Sequence, residues 1–167
     1  MRQSFVGIEH SLASEVDNRP SRGVVVQSGG KLRHVPGLRV LIVEDHPEVA
    51  RLFGVLLREH GAEVHICNAG DKAVAEAPTF APDVVLLDIR LPGLDGYQVA
   101  DRLLGGALVT RPLIIAITAY SQDRYRDRAD EAGIDLFVTK PVTGKELLEY
   151  IEQTPIRTRR NKAEDAD

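Results

Sequence analysis

Five short apolar runs, each followed by a stretch with helical periodicity, constrain this chain more than any other feature. The runs are LRVLIVE (38–44), EVHIC (63–67), DVVLLD (83–88), PLIIAIT (112–118) and DLFVTK (135–140). Near-continuous apolar strands bury both of their faces, which places them in a parallel sheet covered on both sides. The intervening segments supply the covers. In PEVARLFGVLLREHG (47–61), Val49, Leu52, Phe53, Leu56 and Leu57 form an amphipathic stripe, with Pro47 suited to open the helix and Gly61 to end it. GDKAVAEA (70–77) reads as a short helix stopped by Pro78, and DGYQVADRLLG (95–105) as a helix with Asp95 at its N-cap. SQDRYRDRADEAG (121–133) is a charged helix with a thin apolar face of Tyr125, Ala129 and Ala132. TGKELLEYIEQ (143–153) opens on a capping box, Thr143 to Glu146. The expected fold is α/β: a five-stranded, doubly wound parallel sheet, (βα)5.

This core spans residues 38–153 of a 167-residue chain. Residues 1–37 are polar and glycine-punctuated; within them GVVVQSGGKLRHV reads as a disordered arm or a small hairpin. Residues 154–167 follow as a mixed-charge, flexible tail. A net charge of −4 gives no reason to expect nucleic-acid binding. No apolar run approaches the roughly 20 residues of a membrane helix, and the N-terminus lacks the apolar core of a secretory signal. The single cysteine, Cys67, excludes an internal disulfide and fits a reducing, cytoplasmic setting.

In doubly wound sheets, ligands bind beyond the carboxyl ends of the strands. Those ends carry Glu44 and Asp45, then Asp88, Thr118 and Lys140-Pro141. Asp88 closes the apolar run of VVLLDIRLPGLDG (84–96), where a charge is costly unless something opposite compensates it. Three converging carboxylates repel one another, and a hard divalent cation such as Mg²⁺ removes the conflict. Lys140 adds a second positive charge and Thr118 a hydroxyl. Together they supply what phosphoryl transfer onto a carboxylate requires: a nucleophilic oxygen, a metal, and a cation and donor for the phosphoryl oxygens.

Residues 38–153 resemble a response regulator receiver domain, the phosphorylated half of bacterial two-component signalling. The resemblance is carried by VEDHP (43–47), VVLLDIRLPGLDGY (84–97), ITAY (117–120) and AGIDLFVTKPV (132–142). It implies a flavodoxin-like strand order, 2-1-3-4-5. It also implies Asp88 as phosphoryl acceptor, Asp45 and Asp88 as Mg²⁺ ligands, Glu44 as a ligand through water, and the backbone carbonyl of Arg90 completing the protein's share. Lys140, followed by a cis peptide, would contact the phosphoryl group. Thr118 would move in to bind it, and Phe137 would turn inward as the aromatic switch. The small Ala119 would leave the acceptor accessible. Arg90 and Tyr120 stand where they would tune hydrolysis, and the bulk of Tyr120 predicts slow loss of the phosphoryl group. The implied partner is a sensor histidine kinase or a histidine phosphotransfer protein, with a dimer as a further possibility. Only 14 residues follow Gln153, so the expected protein is a stand-alone receiver that acts through a protein-binding surface or as a phosphoryl relay. Two rivals fit less well. A haloacid-dehalogenase-like phosphatase needs a second acid two residues after its nucleophile, where this chain has Arg90. A pseudo-receiver that never takes phosphate would ordinarily lack one of Asp45, Asp88, Thr118 or Lys140.

Overall fold

The computed structural model describes residues 37–119 and 123–154, and of 107 and 123–126 the backbone alone. The readings of 1–36 as an arm or hairpin, of Tyr120 as a shield, of the Tyr125 side chain as core, and of the 155–167 tail lie outside the described residues. Strands and helices alternate along the chain: β1 Arg39–Val43, α1 Pro47–Glu59, β2 Glu63–Cys67, α2 Gly70–Phe80, β3 Val84–Asp88, α3 Gly96–Arg102, β4 Leu113–Thr118, α4 Asp123–Glu131, β5 Leu136–Thr139 and α5 Gly144–Gln153. All pairings are parallel, and the strand order is 2-1-3-4-5.

The two-residue period of the strands divides the core between the sheet's two faces. Leu41, Val43, Val85, Leu87, Ile114, Ala116 and Phe137 pack with α2, α3 and the buried alanines 129 and 132. Val40, Ile42, Val84, Leu86, Ile115, Ile117 and Val138 pack with α1 and α5. Every residue of β3 is buried, as its uninterrupted apolar run requires, whereas the edge strand β2 is mostly half-exposed.

Both expected helix caps form. The Asp95 carboxylate accepts from the Gln98 amide at 2.8 Å, and the Gln98 side chain accepts from the Asp95 amide at 3.1 Å. At α5, Thr143 and Glu146 exchange the same pair of bonds, and the Thr143 amide and hydroxyl hold the Glu146 carboxyl below its usual range.

Three local readings need correction. The α1 stripe is rotated: Leu52 is 67% exposed, while Ala50 and Gly54 face the sheet beside Phe53 and Leu57. Small residues let the helix sit close, and a Cβ on Gly54 would lie 3.1 Å from Ile66. Helix α2 does not stop before Pro78 but runs on to Phe80, ending on Ala81 in the left-handed conformation. The missing proline amide costs one bond in the last turn. Packing of Phe80 against the core and under the Arg39 guanidinium, 4.7 Å from the ring centre, offsets it. The helix read over 95–105 is α-helical only to Arg102, then widens into a π-turn over Leu103–Ala107 that breaks at Gly106, φ +125°. The glycine pair there gives the helix little to hold it.

Gly96, the first residue of α3, fixes how closely that helix approaches the end of β3. A Cβ there would come within 2.5 Å of the Asp88 carbonyl oxygen and 2.8 Å of Ile89 Cα, both backbone atoms. Gly96→Ala is therefore expected to lower stability by about 2 kcal/mol, read as a fall in the urea midpoint at unchanged slope.

Candidate functional site

Parallel register brings the strand-end residues to one edge of the sheet. Val43 pairs with Leu87, so Glu44 and Asp45 follow directly beside Asp88. Asp88 pairs with Ile117, which puts Thr118 one step beyond it on the neighbouring strand; Thr118 pairs in turn with Thr139, the residue before Lys140. The sequence-predicted residues Glu44, Asp45, Asp88, Thr118 and Lys140 thus gather from four strands. Lys140 closes the group: its Nζ lies 2.7 Å from Asp88 Oδ2 and 3.0 Å from Glu44 Oε2. Asp88 Oδ1 accepts from the Arg90 amide at 2.8 Å. The Lys140–Pro141 peptide is cis.

The electrostatics follow from burial. Glu44 and Asp88 are 4% and 7% exposed, so their charges are largely removed from water. Burial pulls the Lys140 ammonium down, but hydrogen bonds and attraction from Asp88 and Glu44 more than offset it and hold its pKa above the ordinary value. The Lys140 ammonium bridges Asp88 and Glu44 but does not by itself balance three carboxylates. Asp45 Oδ1 is shielded from solvent and accepts no hydrogen bond, although His46 Nδ1 lies 2.9 Å away. Carboxylate oxygens of Glu44, Asp45 and Asp88, with a nitrogen of His46, all fall within 4.8 Å of one another. Three carboxylates with an oxygen to spare make a hard-donor set that suits Mg²⁺.

The sequence model of the family described as "Response regulator receiver domain" matches residues 40–152. The chain belongs to the response regulator receiver family. This receiver is similar to Protein PilH of Pseudomonas aeruginosa, 34% identical over 113 residues that cover 68% of this chain and 93% of PilH. It is also similar to Sensory transduction protein RegX3 of Mycolicibacterium smegmatis, 37% identical over 67% of this chain and 48% of that protein. The chain thus spans about half the length of the mycobacterial relatives it matches. Among solved structures, it is similar to the receiver domain of a Pseudomonas aeruginosa sensor histidine kinase, solved with a magnesium ion coordinated in its active-site cleft. That match has 32% identity and a TM-score of 0.64, covering 70% of this chain and 96% of that one. The BeF3-activated receiver of Klebsiella pneumoniae RstA matches at 31% identity and a TM-score of 0.63, over 68% and 95% of the two chains. No helix among the described residues is long and apolar enough to cross a membrane.

Thr118 is fully buried, and Phe137 is 1% exposed in the core of this receiver. Two further residues at the site carry no sequence signal of comparable strength. His46 Nδ1 bonds Glu44 Oε1 at 3.0 Å, and that bond, with the nearby Asp45 charge, raises the imidazole pKa. Its only sequence signal is adjacency to the acid pair. Arg128, one of the charges of the helix read over 121–133, reaches from α4 to Asp95 Oδ2 at 2.9 Å, its guanidinium 4.2 Å from the centre of the Tyr97 ring. No local pattern pairs residues 33 positions apart. Asp45, Arg90, Tyr97 and Arg128 line an open groove of about 520 Å³ beside the end of β3.

Proposed function

We propose that this receiver accepts a phosphoryl group on Asp88 from a sensor histidine kinase or a histidine phosphotransfer protein, and answers by switching a protein-binding surface. The observation that carries the reading is the Asp88 carboxylate, buried yet held by Lys140 at 2.7 Å beside an acid pair with an unsatisfied oxygen. A buried carboxylate with a cation on one oxygen and an amide on the other is fixed in orientation and ready to act as a nucleophile. One Asp88 oxygen attacks phosphorus, the bond to the donor histidine nitrogen breaks, and the imidazole leaves with the electron pair and takes a proton. Lys140 then turns its ammonium from Asp88 to a phosphoryl oxygen, and the Thr118 hydroxyl donates to another. Asp45, Asp88 and the Arg90 carbonyl would hold Mg²⁺, with Glu44 acting through water. When bound, the ion neutralises charge on the phosphoryl oxygens. Movement of Thr118, with Phe137 as the aromatic switch, biases a two-state surface around α4, β5 and α5. PilH, 93% of whose length this chain covers, is little longer than a receiver domain alone.

The test is intact-mass spectrometry after incubation with acetyl phosphate. The expected result is a single phosphoryl adduct with Mg²⁺ and none with EDTA. Failure to form an adduct with acetyl phosphate and with a phosphohistidine protein, in folded protein carrying Mg²⁺, would leave a phosphorylation-independent interaction module instead.

A further inference from the structure

One strand away from the acid cluster lies a second group of ligating side chains. His65 and Cys67 are two residues apart on β2 and project to the same face, where Glu76 meets them from α2. His65 Nε2, Cys67 Sγ and a Glu76 oxygen all lie within 4.8 Å of one another. Both His65 Nε2 and Cys67 Sγ approach the same carboxylate oxygen, Oε2, the sulfur at 3.5 Å. The other oxygen, Oε1, is turned to Lys72 Nζ, 3.9 Å away. The group shares no residue with the phosphorylation site; the two meet at the backbone, where the Glu44 amide donates to the Cys67 carbonyl at 3.1 Å.

We propose that His65, Cys67 and Glu76 form a three-ligand site for a borderline-soft divalent cation, Zn²⁺ in particular. One thiolate, one imidazole and one carboxylate are donors that favour Zn²⁺ over Mg²⁺. Ligand atoms around a tetrahedral Zn²⁺ stand roughly 3.3–3.8 Å apart, given bonds of about 2.0–2.3 Å. The sulfur–oxygen pair already meets that spacing; the imidazole nitrogen stands closer than that to Glu76 and within 4.8 Å of the sulfur, so an ion parts the first pair as it binds. The side chains of His65 and Glu76 are 40% and 36% exposed, whereas Cys67 is fully buried. An ion therefore enters from the solvent side and keeps water as its fourth ligand. Binding forms the Zn–S bond, breaks the Cys67 S–H bond and passes one proton to the buffer. Because a proton is released, binding strengthens as pH rises.

The experiment uses the full chain, reduced and stripped of metal, titrated with Co²⁺ and then Zn²⁺ in a large excess of Mg²⁺. The expected result is one Co²⁺ per chain with an intense near-ultraviolet thiolate-to-cobalt band, displaced by Zn²⁺. Cys67→Ser removes the band. Because that position is buried, the half-exposed His65→Gln and Glu76→Gln provide the second arm. Each should weaken Zn²⁺ binding by more than about tenfold, the scale at which even outer-shell partners matter. Asp45→Asn should leave the band intact. Absence of the band, or its loss in Asp45→Asn with retention in the His65 and Glu76 variants, would overturn the site. If phosphorylation of Asp88 failed, this result would be unaffected.

Discussion

Asp88→Asn is expected to abolish phosphoryl uptake outright: no adduct by intact mass with either donor, at any Mg²⁺ concentration that saturates the native chain. The change is nearly isosteric, so the Arg90 amide keeps an oxygen to bond and β3 keeps its packing. What is lost is the anionic oxygen that attacks phosphorus, and an amide oxygen cannot replace it as a nucleophile. The substitution also removes one of three clustered negative charges, two of them buried. The variant should therefore unfold at a urea concentration no lower than the native chain, which separates loss of chemistry from loss of fold. An adduct that persisted in the variant would mean that another side chain accepts the group, and the assignment of Asp88 would fall.

The positions of these residues could be read from sequence because one fold rule converts strand ends into site positions. Once VVLLD is a parallel strand, Asp88 must lie at the carboxyl edge, and Glu44, Asp45, Thr118 and Lys140 join it by register alone. What could not be read is set by packing across the chain. Hydrophobicity ranks Leu52 above Gly54, yet the gap between α1 and β2 admits only the smaller residue, so the stripe turns away from its most apolar member. Pro78 is a stop signal in a free helix, but Phe80 beyond it has both core and a guanidinium to pack on. The Arg128–Asp95 bridge joins α4 to the loop before α3, and no periodicity encodes a contact between two elements. His65, Cys67 and Glu76 show the same limit. Each looks like an ordinary residue of its own element until α2 is laid across β2.

Lys140→Met should destabilise the chain by about 2–3 kcal/mol at neutral pH in EDTA, and Mg²⁺ should restore most of the loss. Removing one partner of a buried ion pair costs more than the pair itself contributes, because Glu44 and Asp88 are left desolvated and facing each other. The figure falls below the usual range of about 3–5 kcal/mol because the Lys140 side chain is 29% exposed and water can partly take its place. A divalent cation meets the same need for positive charge, and with the ammonium gone it no longer competes, so Mg²⁺ should also bind more tightly to the variant. Urea unfolding in EDTA and in Mg²⁺ gives the first quantity, and a Mg²⁺ titration gives the second. The pH dependence has a fixed sign. In the native chain the Lys140 pKa is raised on folding, so its contribution is fully present below the ordinary lysine value and is lost as pH rises through the raised one. Across neutral pH the native pair therefore contributes no slope. In the variant, the exposed conflict is between carboxylates, which acid relieves by protonating one of them. Its stability deficit should accordingly shrink as pH falls toward the carboxylate range. A deficit independent of both Mg²⁺ and pH would show that Lys140 acts by packing rather than by charge.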